Sequence, residues 1–204
     1  MIYSNISKYP NLTFPQYLAI KEVHFNQTGN VLHSHSSLKN MRDGVAQPYR
    51  TATPKMQIGT LVDEILTGSA DVNHPNYATA KSIALTLRSR FGFAFDRMEK
   101  QVSYTATIEH DGLKLDVMGR PDYVLAKNAI IDLKISQVRT RQEASNIADH
   151  FGYDNALWHY GQMAGANKYY LLVYCAKSGK IEVIERECKG AEGWWMDKVL
   201  LYGY

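Results

Sequence analysis

The sequence contains little cysteine, and this scarcity excludes several kinds of site. Cys175 and Cys188 are its only cysteines in 204 residues. Two thiols cannot supply an all-cysteine zinc site or an iron–sulfur cluster. They also provide no disulfide framework, so we expect a reducing compartment.

Long apolar runs and a strong charge excess are absent as well. No run approaches the roughly 18 apolar residues of a membrane span, and the start of the chain lacks the pattern of a signal peptide. The 23 Lys and Arg against 20 Asp and Glu give a formal net charge of +3, which permits a nucleic-acid partner without requiring one. We therefore expect a cytoplasmic protein without a membrane partner.

Helical periodicity is clearest in the middle of the chain. It predicts one helix from Met56 to a stop at Gly68, and a second helix from Pro75 to Gly92. Residues 1–55 show no regular period, apart from a short helix predicted over SLKNMRDG and ended by Gly44.

The period changes to two after residue 101, which indicates strands. Asp111-Gly112 joins two alternating segments and predicts a tight hairpin. Further strands are predicted for AIIDLKIS, YYLLVYCA and KIEVIERE, with a turn at Lys127-Asn128, a helix over about 140–164 and a short C-terminal helix. Strands mixed with long helices favour a layered α/β domain.

A single domain over residues 1–204 accommodates this order, because its length suffices for one core. We divide it into an N-terminal extension (1–55), a core (56–187) and a C-terminal helix (188–204).

Asp122, Asp132 and Lys134 form the most informative constellation. If 129–135 is a strand, Asp132 and Lys134 share one face, while Ile131, Leu133 and Ile135 share the other. Asp122 lies on the preceding strand of a short hairpin and can reach the same place.

Two converging carboxylates repel unless a cation lies between them, and Mg²⁺ prefers oxygen ligands of this kind. With Lys134 as the positioning group, this set suits metal-assisted phosphodiester hydrolysis. The alternative is that the carboxylates cap turns and Lys134 is a solvated strand residue.

These residues resemble the signature of the PD-(D/E)xK nuclease superfamily, in the form Pro121-Asp122 followed by Asp132-Leu133-Lys134. Within it, the sequence is most similar to phage and prophage RecE-like (lambda-exonuclease-like) exonucleases. Weaker similarities are the SSLK segment with the later Pro48-Tyr49, GTLVD on the first core helix, and Gly152-Tyr153. The resemblance spans roughly residues 34–185.

The resemblance implies a fold and a function. It implies a restriction-endonuclease-like core, in which helices flank a central mixed sheet. It implies a Mg²⁺- or Mn²⁺-dependent exonuclease that degrades double-stranded DNA from its ends in phage recombination. A single-strand annealing protein as partner and a homo-oligomer are implied by the same analogy. Asp122, Asp132 and Lys134 would be the catalytic residues, and the Leu133 carbonyl would be a further metal ligand.

The sequence departs from the family at three places. Asp63 stands where RecE-like enzymes tend to carry a metal-binding His, and it would supply a carboxylate instead. Gln101 replaces a Glu on the first strand, and Ala156 replaces a Gln on the helix after AIIDLKIS. Gln101 and the missing helix Gln leave a nuclease-dead DNA-binding protein as one alternative. A structure- or site-specific endonuclease is a second alternative, within the same chemistry.

Basic residues flank the proposed site and could contact DNA phosphates. Arg120 next to Asp122, together with Arg139 and Arg141, are the candidates, and Tyr153 is the aromatic candidate for DNA binding. Solvated charge is the alternative for the arginines.

Histidines do not form a convincing zinc site. His33-Ser34-His35 is the densest group, but its spacing matches no known zinc pattern, and we interpret it as a loop. His159 is a candidate to face the site from its helix.

Overall fold

Helices and strands alternate along the chain in a mixed α/β order. The computed structural model describes residues 1–10, 12, 14–39, 41–42, 45–46, 54–126 and 128–204. The elements in chain order are β1 (Ile2–Tyr9), α1 (Phe14–Thr28), β2 (His33–Ser34), α2 (His35–Lys39), β3 (Met41–Arg42), β4 (Val45–Ala46), α3 (Pro54–Thr67), α4 (Tyr77–Phe95), β5 (Met98–Lys100), β6 (Ser103–His110), β7 (Leu113–Gly119), β8 (Tyr123–Leu125), β9 (Ala129–Ser136), α5 (Arg141–Phe151), α6 (Tyr153–Ala164), β10 (Lys168–Cys175), β11 (Lys180–Arg186) and α7 (Ala191–Tyr202).

Most strands belong to two mixed sheets. The first sheet has the order β1-β6-β7-β2, with β2 parallel to β7 and the other pairs antiparallel. The second has the order β11-β10-β9-β8-β5, in which β9 and β10 are parallel. Parallel neighbours need a crossover connection, and here it consists of α5 and α6. The predicted α/β class of mixed sheets flanked by helices is confirmed, although the strands form two sheets rather than one.

The second sheet is covered on both faces, which makes β9 a rigid support. Leu133 of β9 belongs to the core that α3 and α4 form on one face. Ile130 belongs to the core with α5 and α6 on the other face. Strand residues alternate between faces, so the two neighbours of Leu133 in sequence, Asp132 and Lys134, share the α5–α6 side. A third core, containing Trp195 of α7, covers the first sheet.

The N-terminal region is more regular than its sequence predicts. β1 pairs with β6 over most of its length, and α1 is a helix of 15 residues. Periodicity misses α1 because Tyr17 is its only buried residue among those with described side chains, while Leu18, Val23 and Phe25 are exposed. The helix thus has no continuous apolar stripe to reveal it.

Some predicted boundaries are wrong. The short helix α2 begins at His35 and ends at Lys39, and the chain is already extended at Met41. Its predicted stop at Gly44, the Pro48-Tyr49 pair and Lys127 lie outside the described residues. Gly92 does not end α4, which continues to Phe95. The helix extends this far because the Phe95 ring packs against the Tyr123 ring, with their centres 5.1 Å apart.

The helix predicted over 140–164 is divided in two. Gly152 has a φ of 63° between α5 and α6, a left-handed conformation that glycine adopts without strain. The segment His33-Ser34-His35, interpreted as a loop, instead belongs to regular elements, since His33 pairs with β7 and His35 starts α2. The hairpin at Asp111-Gly112, the C-terminal helix and the strands β9, β10 and β11 are confirmed. No helix in the described parts of the chain is long and apolar enough to cross a membrane.

Candidate active site

The segment Arg120-Pro121-Asp122 connects the two sheets. β7 ends at Gly119 in the first sheet, and β8 begins at Tyr123 in the second. β8 pairs with β9 only as far as Tyr123 opposite Ile131. Within the described residues, no strand lies beside β9 on that side beyond this point. Asp122 occupies this position.

The backbone of β9 fixes the carboxylate of Asp122. Oδ2 of Asp122 accepts a hydrogen bond from the Leu133 N–H at 2.7 Å. Lys134 donates to the Leu133 carbonyl at 3.3 Å and forms an ion pair with Asp132. Two side chains of β9 and one from the segment before β8 therefore meet around one residue of β9.

Asp63 reaches the same region from α3. Its Oδ1 accepts a hydrogen bond from the Tyr123 hydroxyl at 3.0 Å, and its Oδ2 accepts one from the Gln101 side-chain amide. Two of the three residues in which the sequence departs from the RecE-like pattern, Asp63 and Gln101, are thus direct partners. Both oxygens of Asp63 already accept a hydrogen bond, so the helix carboxylate is held in one orientation.

Arg120 is anchored rather than free. It donates to the side-chain oxygen of Gln101, and to the Leu12 carbonyl at 3.1 Å. Its guanidinium also lies 5.7 Å from the centre of the Tyr17 ring. Arg120 therefore ties the N-terminal segment and α1 to the network that orients Asp63.

The carboxylates influence one another strongly. Burial, followed by the charges of Asp132 and Asp63, raises the pKa of Asp122 well above its ordinary value. Burial also raises the pKa of Asp63 to about 6, although the Tyr123 hydrogen bond and the nearby cations oppose it. Burial alone would lower the pKa of Lys134, but the charges of Asp132 and Asp122 outweigh it and the net shift is upward. The site concentrates negative charge around one protonated lysine.

The donor set fits a hard divalent cation. Among the described residues, no three His, Cys, Asp or Glu side chains lie close enough together to hold a metal ion by themselves. Mg²⁺ commonly uses one or two carboxylates and completes its shell with water and substrate oxygens. Asp122, Asp132 and the Leu133 carbonyl offer such oxygens, and a cation beside them would relieve the repulsion that raises the pKa of Asp122.

The predicted DNA-binding residues separate into two groups. Tyr153 is in the site, because the Lys134 ammonium lies 5.1 Å from the centre of its ring. Arg139 and Arg141 are exposed near the start of α5, and Arg141 donates to the Val183 carbonyl of β11 at 2.6 Å. β11 is the edge strand two positions from β9. The structure thus does not bring these two arginines to the carboxylates.

His159 does not face the site. It is fully buried, with Nδ1 hydrogen-bonded to the Tyr3 hydroxyl at 2.7 Å and its ring stacked on Trp195 at 4.1 Å. Burial lowers its pKa to about 3, so this imidazole is a neutral packing element.

His35 is a residue that the sequence did not reveal. It is 7% exposed, and its Nε2 has no hydrogen-bond partner in the described structure. Burial and the charge of Lys39 lower its pKa to about 4, and Asp132 and Lys134 are near enough to influence it as well. In the sequence, the family resemblance of the adjacent SSLK segment was the one indication that the chain around His35 approaches the site.

Comparison with known proteins supports the fold. No protein-family model matches the sequence, and no curated protein is similar to it in sequence. The structure is similar to a solved structure from Eubacterium rectale described as a "putative exonuclease", with a TM-score of 0.63 and 16% identity over 94% of this chain and 86% of the other. The protein named SSO0001 aligns over 93% of this chain and 87% of its own at 16% identity, and its TM-score of 0.45 is too low to support an argument. The first likeness establishes a shared fold.

Proposed function

We propose that this chain is a metal-dependent nuclease that hydrolyses phosphodiester bonds from the ends of double-stranded DNA. The observation that carries the proposal is the meeting of Asp122, Asp132 and Lys134 around Leu133, at the gap between the two sheets. The resemblance of these residues to the PD-(D/E)xK signature and the fold shared with the Eubacterium rectale protein support it.

Asp122, Asp132 and the Leu133 carbonyl would hold Mg²⁺ or Mn²⁺, with Asp63 as a further carboxylate. A bound cation of this kind supplies an acidified water and neutralises phosphate charge. Lys134 stays protonated because two carboxylates raise its pKa, so its ammonium can orient the attacking water and offset charge that develops on the phosphate. Gln101 and Tyr123 keep Asp63 in place, and Arg120, which donates to Gln101, would contact a phosphate.

The preference for DNA ends follows the RecE-like resemblance and the description of the structural neighbour. We extend the proposal to a phage-type recombination exonuclease that acts in the cytoplasm as a homo-oligomer, together with a single-strand annealing protein. A site-specific or structure-specific endonuclease is the alternative within the same chemistry.

The test compares a linear duplex with a covalently closed circle, each incubated with Mg²⁺ or with EDTA. We expect loss of the linear DNA alone, and only with Mg²⁺. Nicked circles would instead indicate an endonuclease, and DNA binding without products would indicate an inactive site.

Lys134→Ala and Lys189→Ala form a matched pair for the same assay. We expect Lys134→Ala to lower kcat strongly while the circular dichroism spectrum stays that of the folded protein. Lys189 is exposed and pairs with the exposed Glu187, so its variant should cleave at the wild-type rate. Equal turnover of the two variants would contradict the role of Lys134.

A further inference from the structure

A cavity of about 870 Å³ lies at the carboxyl ends of β9 and β10 and begins at Lys134. Crevices beyond the carboxyl ends of parallel strands are where open α/β sheets bind ligands, and this volume falls in the range of small-molecule sites. Leu171 and Val173 of β10 form part of its apolar wall, and Ser136 and Gln137 add polar groups beside Lys134. The cavity is thus continuous with the proposed site but distinct from its carboxylates.

Three aromatic residues line this cavity, and two of them, Phe151 and Tyr153, are stacked on each other. Phe151 ends α5 and Tyr153 begins α6, and the left-handed turn at Gly152 brings their rings into a stack with centres 5.8 Å apart and planes at 17°. Phe151 is 43% exposed, so part of its side chain is accessible to a ligand. The pair therefore offers a flat aromatic surface to whatever enters.

Two lysines place positive charge beside this surface. The Lys134 ammonium lies 5.1 Å from the centre of the Tyr153 ring, and the Lys39 ammonium lies 5.2 Å from that of Phe151. Lys39 also donates to the Phe151 carbonyl at 2.5 Å. An ammonium has three donors, so Lys39 can hold this carbonyl and still bind an anion.

We infer that this cavity is a nucleotide subsite, in which an unpaired base next to the cleaved bond stacks on Phe151 and Tyr153 while Lys39 contacts its phosphate. The inference rests on the proposed nuclease function and names the part of the substrate that lies beyond Lys134. A flat base matches the aromatic pair, and a phosphate matches the Lys39 ammonium, which has donors beyond the one on the Phe151 carbonyl. Lys134 already forms an ion pair with Asp132, so we assign the phosphate contact to Lys39.

The test measures binding rather than cleavage. A duplex with a single-stranded tail that carries 2-aminopurine at the junction is titrated with protein in Ca²⁺, and quenching of the probe reports stacking. Aromatic stacking supplies much of a protein's affinity for an unpaired base, so we expect Phe151→Ala to weaken binding of this probe about tenfold and to abolish most of the quenching.

Phe93→Ala is the matched control. Phe93 is 71% exposed and has the Arg97 guanidinium 3.8 Å from its ring centre, yet it does not line the cavity. Its variant should quench the probe as the wild type does. In cleavage assays, Phe151→Ala should raise KM for tailed DNA more than it lowers kcat.

The outcomes separate this inference from the proposed function. Quenching that is lost in Phe151→Ala supports the subsite, even if no DNA is ever cleaved. A wild type that cleaves DNA while Phe151→Ala quenches the probe equally well overturns the subsite and leaves the nuclease proposal intact. Absence of quenching in the wild type overturns the subsite as well.

Discussion

At the residue scale, the site depends on what surrounds each charge. Asp122 accepts a hydrogen bond from a backbone N–H, Asp132 pairs with an ammonium, and Asp63 accepts hydrogen bonds from a hydroxyl and an amide. Three identical side chains therefore have three different environments. Replacing one of these aspartates should have an effect on metal binding and cleavage that depends on its position.

Asp132→Asn should abolish Mg²⁺-dependent cleavage while DNA binding remains or improves. The change removes a proposed metal ligand and a negative charge that would face phosphate. Gel-shift titration and cleavage of linear duplex measure the two effects. Asp111→Asn, at an exposed turn, should change neither, and wild-type cleavage by Asp132→Asn would refute the assignment.

Mg²⁺ should raise the melting temperature of the wild type, because a ligand that binds only the folded state stabilises it. The cation would also relieve the repulsion between the buried carboxylates. Differential scanning fluorimetry with and without Mg²⁺ measures the shift. An Asp122→Asn/Asp132→Asn double variant should show no shift, and a shift of wild-type size in that variant would place the metal elsewhere.

At the element scale, close packing between α6 and β10 keeps the crossover against the sheet. A Cβ at Gly161 would collide with the ring of Tyr169 and would lie 3.0 Å from the Ala166 carbonyl oxygen. The helix can approach the strand this closely because position 161 has no side chain. The same approach supports the carboxyl end of β9 through the parallel pairing of β9 with β10.

Gly161→Ala should destabilise the protein by about 1–3 kcal/mol, as other overpacked core substitutions do. Gly193→Ala in α7 is the control, since nothing lies within 4 Å of its added Cβ, and alanine favours the helix by up to about 1 kcal/mol. Urea unfolding of both variants gives the comparison. Similar losses of unfolding free energy in the two variants would show that the close packing at Gly161 does not determine the stability of the protein.

At the scale of the whole molecule, Asp116 joins distant parts of the chain. This buried carboxylate of β7 accepts hydrogen bonds from Thr107 at 2.8 Å, His24 at 2.9 Å and Tyr204 at 2.9 Å. These residues belong to β6, α1 and the C-terminus. Burial tends to raise the pKa of Asp116, but the three hydrogen bonds outweigh it and the net shift is downward.

Asp116→Asn should cost about 1.5–3 kcal/mol near neutral pH, which is typical of hydrogen bonds to a charged group. Because the folded pKa is lowered, the carboxylate contributes stability above its ordinary pKa of 3.8 and loses it as the pH falls through the folded value. The difference in unfolding free energy between variant and wild type should therefore shrink toward acid pH. Urea unfolding at neutral and acid pH tests this, with the exposed Asp197→Asn as control, and a difference independent of pH would contradict it.

The sequence by itself determined the elements whose apolar pattern repeats. It predicted the β6–β7 hairpin from Asp111-Gly112 and α3 from its helical periodicity. It also predicted β9 with Asp132 and Lys134 on one face, because the alternation of strand side chains is a local property. It also singled out Asp122, because Pro121-Asp122 and the later DLK segment stand in a recognisable order.

Only the tertiary structure decided the rest. α1 has no apolar stripe, so its place depends on contacts such as that between His24 and Asp116. Gly152 divides what reads as one helix and stacks Phe151 on Tyr153. Asp63 and Gln101, 38 residues apart, become partners, and Arg120 meets Leu12 rather than solvent. The contacts of α1, Asp63 and Arg120 join residues distant in the chain. Such contacts leave no period in the sequence, because burial and pairing are settled only when the sheets and helices pack.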